Sequence, residues 1–416
     1  MIRKKSFKGK KIQCLLSTWW YDGTQYKWPE LLKKEFGIGF TRGKIEEDLD
    51  LGICWGDVHF LYKEFLKKNI PYILVEHDVY SLRFGVNEKI LSHDREKIEN
   101  ASAVIFSSEE HAEYYEMLKK TLDWHIPEYV VIHNKPLRKD INFKPRQKLE
   151  GLHLVMAGGI IGHWRNSITK ERAMNFNYKA FHHIFKKFIE AGWNVHMYPT
   201  RFRNPNLFGE LKNIGCILHE YIPGNKIYEE MSKYTAGLHA NNDINTPERA
   251  FKYAQSTRPN KLYDYLASGI PTIGYQGGEK SMDVYRNKWG IVIDDLEPET
   301  LKAIPERLEK IKITRKMRYD SILEKEKDKF EYIIKVALKE AGNKDRKRYY
   351  INKNPFKVKD TAKYPNKIRV FNKGAITIYR GGYLFLPGET SGELTINMRT
   401  FKEIKAHVSL RIEHIE

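Results

Sequence analysis

Within "RPNKLYDYLASGIPTIGYQGG" (258–278), Asn260, Lys261 and Asp264 are placed where chemistry is possible. Pro259 suits a helix's first turn, Ser256 or Thr257 its cap, and Gly269 the position just past its end. Leu262, Tyr265 and Leu266 then fall on a packing face, while Asp264 lies about 200° round from Leu262, beside Asn260 and Lys261. A helix entering a cleft by its N-terminus offers unpaired N–H groups and a partial positive charge, which suits a diphosphate. Asp264, a turn further in, can accept hydrogen bonds from two ribose hydroxyls. The same spacing also fits an amphipathic helix with an ordinary surface Lys–Asp pair.

A second pair, His77–Asp78 in "EHDVYSLR" (76–83), follows the apolar run "PYILVE". At a strand end this pair can position a hydroxyl and help take its proton, or stabilise a developing positive charge. A structural histidine with a capping aspartate is the alternative. Other apolar runs end in the same manner: Ser107 and Ser108, His133 and Asn134, Gly158 and Gly159, and Asn241, Asn242 and Asp243. Ligands of open parallel sheets bind beyond the carboxyl ends of the strands, although polar residues there also simply meet solvent.

The elements that must position these residues are short apolar runs separated by helical stretches, the pattern of a parallel sheet covered on both faces. Strands are predicted at 11–17, 49–55, 71–76, 102–107 and 129–133, with a helix over 57–69. After the charged stretch "LRKDINFKPRQKLEG" the pattern restarts, with strands at 152–158, 194–199, 216–222, 236–241, 270–275 and 290–294. The fold class is therefore α/β: two Rossmann-like domains facing across a cleft, with boundaries at 1–145 and 146–342, the second including closing helices. Neither a GxGxxG following a strand nor a GxxxxGK[ST] occurs, so a dehydrogenase or P-loop NTPase is not supported. Cys14, Cys54 and Cys216 are far apart and read as buried, reduced thiols. The apolar run in "MIRKKSFKGKKIQCLLSTWW" is too short for a signal peptide or a span, which points to the cytosol.

The formal charge of +19 attracts phosphates, nucleic acid or anionic lipid, unless it is only lysine spread over solvated faces. Residues 343–416 begin with a basic run interleaved with aromatics and continue into β-like pieces, with "YRGGY" reading as a hairpin. This β-rich appendage can contact phosphates, or serve as a linker and packing module.

"NKLYDYLASGIPTIGY" resembles the nucleotide-sugar-binding segment of GT-B glycosyltransferases, in particular the large retaining family of sucrose-phosphate synthases and bacterial surface-glycan transferases. "ENASAVIFSSEEHAEYY", "VVIHNKP", "HLVMAGGIIG" and "EYIPGNKIYEEMSKYTAGLHAN" follow in that family's order, so the likeness covers about residues 70 to 310. It implies transfer of a sugar from a nucleotide-sugar donor to an acceptor hydroxyl with retention, and gives Asp264 the ribose. A second acidic residue eight positions earlier is Ser256 here, with Glu248 or an asparagine such as Asn241 as its substitute. The usual glycine pair after the first strand is replaced by "STWWYDG", leaving Gly23 to approach the donor. Candidates for the diphosphate clamp are Arg165, Lys170, Arg258 and Lys261, with Asn260 beside them and Gly158 and Gly159 closing the strand.

Fixed donors and cations suffice for departure of a nucleoside diphosphate, so no obligatory metal is implied. The acidic triplet at 48–50 precedes a strand, which argues against a ligand role. Neither the base (UDP-, GDP-, ADP- or dTDP-sugar), nor the sugar, nor the oligomeric state follows. The resemblance favours a cell-surface glycan or glycolipid acceptor, with the basic protein on an anionic membrane. "HDVYSLR" is also similar to a segment of bacteriophage DNA α-glucosyltransferases, which would make DNA the polyanionic partner. A nucleotide-sugar-sensing or DNA-binding protein without turnover is the reading from another class.

Overall fold

Ile12–Leu16 (β1), Leu51–Trp55 (β3) and Tyr72–Glu76 (β4) are buried at every residue, as strands covered on both faces must be. With Gly39–Arg42 (β2), Ala103–Phe106 (β5) and Tyr129–Val131 (β6) they form a six-stranded parallel sheet in the order β2-β1-β3-β4-β5-β6. The computed structural model describes residues 7–342 apart from 17–23, 47, 57–60, 78, 85–87, 159–178, 200–204, 223–225, 245 and 258–259, together with the backbone of five strands between 367 and 414. Strand β2 was not predicted. Its four residues, "GFTR", lie at the sheet edge and are mostly exposed, so no apolar run marks them. Their register is instead fixed by pairing with β1, Cys14 opposite Phe40. The predicted 57–69 helix is seen as Tyr62–Lys67, part of its range lying outside the described residues.

A second six-stranded parallel sheet runs β12-β11-β10-β7-β8-β9. Its strands are His153–Gly158 (β7), Asn194–Pro199 (β8), Ile217–Leu218 (β9), Ala236–Ala240 (β10), Thr272–Tyr275 (β11) and Gly290–Ile293 (β12). The fold is the predicted α/β arrangement of two Rossmann-like sheets. Each sheet has apolar clusters on both faces, and each fully buried Leu or Ile contributes roughly 1.5–3 kcal/mol. The Lys327–Ala341 helix returns to the first sheet, where Phe330, Ile333 and Ile334 join Ile12, Ile73 and Trp28. All three cysteines are buried and free.

The helix that carries Asp264, Asn260–Ser268, is pinned to the second sheet by its apolar side. Tyr265 lies so close to β10 that a Cβ on Gly237 would sit 2.3 Å from its ring, and its hydroxyl donates to the Leu238 carbonyl at 3.0 Å. Only glycine admits that approach. Gly269 ends the helix at φ +74, the left-handed position anticipated for it. The capping expectation needs correction: the Ser256 and Thr257 hydroxyls donate back to Tyr253 and Ala254 carbonyls. They close the preceding Glu248–Ser256 helix, whose last carbonyls need donors.

That preceding helix also joins the two halves. Leu82 packs with Ala250, Tyr253 and Ala254; the His111 and Tyr253 rings stack at 6.4 Å; and the Ser108 hydroxyl donates to the Ser256 carbonyl at 3.3 Å. Beyond 342, Lys367–Asn372 pairs antiparallel with Leu410–His414 and Leu394–Thr395, and Ile378–Arg380 with Tyr383–Phe385. These short antiparallel strands agree with the β-rich appendage. Among the described residues no helix is long and apolar enough to cross a membrane.

Candidate active site

At the carboxyl end of β4, Glu76 is fully buried and its carboxylate meets Lys97 at 2.7 Å. Lys97 Nζ also lies 3.0 Å from Asp94, whose other oxygen accepts the Ser81 N–H at 2.8 Å; the Ser81 hydroxyl in turn takes the Tyr114 proton at 3.0 Å. Burial alone would raise the Asp94 carboxyl, but Lys97, His93 and Ser81 outweigh it and hold it down to about 2. Burial likewise opposes the charge on Lys97, and the two carboxylates keep it above the ordinary lysine value. This network ties the strand end to the helices on either side.

His77 stands directly on that base. Its carbonyl accepts the Ser107 hydroxyl at 3.4 Å, and its Nδ1 is buried with no partner among the described residues. An unsatisfied buried ring nitrogen is costly, and a hydroxyl or water brought within reach would relieve it. Asp78, predicted as its companion, lies outside the described residues, as do Gly23, Gly159, Arg165, Lys170 and Arg258.

Across the cleft, Gly158 ends β7 at φ +137, and a Cβ there would lie 3.9 Å from Lys261 Cε. Lys261 is half-buried, with Nζ 5.3 Å from the Phe181 ring centroid. Desolvation and then the neighbouring Lys179 push its pKa down to about 7, Asp264 opposing. Such a lysine gains its full charge when an anion arrives. Asn260, at the helix start, has a buried Oδ1 with no partner among the described residues.

Asp264 is engaged by two donors from within the protein. Its Oδ1 takes the Tyr228 hydroxyl at 2.9 Å and the Lys27 ammonium at 3.2 Å, and its side chain keeps 22% of its exposure. Asn241 is 5% exposed and donates its amide to the Gln276 carbonyl at 3.1 Å, bracing the ends of β10 and β11. Asp50 of the acidic triplet pairs with Lys10 at 3.0 Å and accepts the Lys11 N–H at 2.8 Å. Among the described residues no group of three His, Cys, Asp or Glu side chains converges on a metal position.

A second contact crosses the cleft one residue from Asp264. His133 Nε2 donates to Glu109 at 3.0 Å, which leaves Nδ1 to accept the Tyr263 hydroxyl at 2.9 Å, the two rings stacked at 5.8 Å. Sequence reasoning missed Lys27, Lys97, Tyr228 and Tyr263. Lys27 had a signal: its i+4 neighbour Leu31 is core, which puts a lysine on the packing face of the Thr24–Phe36 helix.

No family model and no curated protein matches the chain. Solved structures do, glycosyltransferases among them. The pneumococcal O-GlcNAc transferase GtfA, solved with UDP and GlcNAc, aligns at 12% identity and TM-score 0.47 over 69% of this chain and 57% of GtfA. AviGT4, a glycosyltransferase of avilamycin A biosynthesis, aligns at 12% identity and TM-score 0.48 over 80% of this chain and 99% of its own. Sucrose-phosphate synthase from Thermosynechococcus elongatus aligns at 11% identity and TM-score 0.40, with 74% of each chain covered. The chain thus spans little more than half the length of GtfA.

Proposed function

We propose that this protein is a GT-B glycosyltransferase that moves a sugar from a nucleotide-sugar donor to an acceptor hydroxyl, with retention. The observation that carries the reading is the approach of Lys261, in the first turn of the Asn260–Ser268 helix that also carries Asp264, to the glycine end of β7. Asp264 takes the ribose hydroxyls. Lys261, the Asn260 side chain and the first N–H groups of the helix take the diphosphate, where negative charge grows as the sugar–phosphate bond breaks. Gly158, without a side chain, lets the diphosphate approach the backbone. Arg165, Lys170 and Arg258 are our further candidates for the diphosphate, and Gly23 and Gly159 for contact with the donor.

On the opposite side, His77, with Asp78, positions the acceptor hydroxyl and eases its proton loss, above the Glu76–Lys97–Asp94 base. The acceptor is a cell-surface glycan or glycolipid, and the net charge of +19 holds the protein against an anionic surface. Residues 1–145 form the acceptor side, 146–342 the donor side plus closing helices, the last of which packs back on the first sheet, and 343–416 an appendage to them.

Thermal unfolding against UDP-, GDP-, ADP- and dTDP-sugars tests the donor site. A true donor at 100 times its Kd adds about 2.7 kcal/mol of stability. Asp264→Ala should cut that shift by about half or more. Equal shifts in wild type and variant would refute the ribose assignment.

A further inference from the structure

The donor carboxylate is covered by a cation from the other half of the molecule. Lys27, on the Thr24–Phe36 helix, is only 6% exposed, and its ammonium reaches Asp264 Oδ1 at 3.2 Å while lying 5.5 Å from the Tyr228 ring centroid. Tyr228 donates to the same oxygen. Two donors use both in-plane lone pairs of Oδ1 and leave Oδ2 to a ligand. A vicinal diol that addresses both carboxylate oxygens must therefore displace one of them. Tyr228 is wedged in the core of its own half, whereas Lys27 is on a flexible four-carbon stem.

A buried ammonium cannot be left unpaired, so its next partner matters. Asp140 provides one. It lies on the Arg138–Ile141 turn, which packs beside the helices that carry Tyr228 and Asp264. Its Oδ2 accepts the Leu137 N–H at 3.0 Å, but Oδ1 is buried with no partner among the described residues. Burial pushes this carboxyl up, against the Leu137 N–H and the field of Lys27. Other charged and titratable groups nearby are already engaged: Lys139 pairs with Glu30 and donates to Tyr26 at 2.9 Å.

We infer that Lys27 toggles between two carboxylates, covering Asp264 in the empty protein and moving to Asp140 when a ribose diol takes Asp264. The inference rests on the donor reading of Asp264. It makes donor binding an exchange of ion pairs: a contact that crosses the cleft is traded for one beside the crossover between the halves. Lys27 is accordingly a positioning residue that competes with the donor, and Asp140 is the residue that lets it leave.

The test is calorimetric titration of full-length protein with UDP, GDP, ADP and dTDP, each variant first shown to be folded by its thermal unfolding. If the covered state holds about nine-tenths of the empty protein, Lys27→Met tightens binding of the accepted nucleotide about tenfold. Asp140→Asn weakens it, because the displaced ammonium has nowhere to go, and Lys27→Met/Asp140→Asn returns to the value of Lys27→Met alone. A purely structural pair would weaken binding in all three. Should Asp140→Asn fail to fold, the sign of the Lys27→Met effect decides. Loss of affinity in Lys27→Met, or no change, overturns the toggle while leaving the donor reading intact provided Asp264→Asn still abolishes binding. If Asp264→Asn binds as wild type does, or if neither wild type nor Lys27→Met binds any of the four nucleotides, both readings fall.

Discussion

Beneath His77, Lys97 is wholly enclosed between Glu76 and Asp94, whereas at the facing strand ends Lys261 and Asp264 are half-buried and differently partnered. Asp264 borrows Lys27 from across the cleft, and Lys261 rests on the Phe181 ring with no carboxylate in contact among the described residues. Charges of the first kind are locked by partners on two sides; the toggle proposed above draws on charges of the second kind. On the function proposed above, the contrast suits a fixed base on the acceptor side and an exchangeable set on the donor side. It also separates two uses of burial: one holds geometry, and the other keeps ionic partners strong enough to matter yet free to move.

The comparison breaks most readily at the enclosed lysine. Lys97→Met leaves two buried carboxylates facing each other and should destabilise the protein by about 3–5 kcal/mol in denaturant unfolding at neutral pH. Asp94 is held down to about 2, so its contribution is present above the ordinary carboxylate range and lost only as pH falls toward that value. A loss below about 1 kcal/mol would place Lys97 among ordinary surface pairs and remove the distinction.

A second, weaker polar cluster sharpens the contrast within the donor half. His153, His196 and His219 form a ladder, Nδ1 to Nε2 at 2.9 Å each, which ends on the Glu150 carbonyl at 2.8 Å. Around it stand Tyr198, Tyr234, Glu230, Lys233 and Arg146. Desolvation, then His219, His153 and Lys233, push His196 down to about 3, against Glu230. The unfolded chain therefore binds more protons between pH about 6.5 and about 3, and stability should fall by a few kcal/mol across that window. His196→Asn should flatten the slope there while the acid limb set by Asp94 persists. An unchanged slope would mean that His196 is not held down by its neighbours.

The smallest effect concerns the partner-sharing contacts. Tyr263→Phe removes the hydroxyl that His133 accepts and should cost about 1 kcal/mol or less, with hydrogen exchange rising around 263 and 133 rather than through either sheet. A loss as large as that of Lys97→Met would show the cleft contacts to be as fixed as the enclosed ones.

Much of this arrangement was legible. Uninterrupted apolar runs gave eleven of the twelve parallel strands, because burial on both faces leaves a signal that needs no partner to be read. Leu262, Tyr265 and Leu266 set the face of the helix, and so the side on which Asp264 stands. Strand β2 escaped because an exposed edge strand carries no such run. The partners of Asp264 escaped for a different reason: Lys27 lies 237 residues away, and only the closed pair of sheets brings it near. Ser256 and Thr257 were assigned to the wrong helix because a hydroxyl between two helices can serve the end of one or the start of the next.

The central claim is that the donor half binds and activates a sugar nucleotide through Asp264. Release of nucleoside diphosphate from UDP-, GDP-, ADP- and dTDP-sugars, measured without added acceptor in wild type and Asp264→Asn, tests it most directly. Slow release from at least one donor by wild type, reduced about tenfold or more in Asp264→Asn at subsaturating donor, is the predicted result. Equal release by both proteins, or none from any donor alongside no thermal shift, would contradict it.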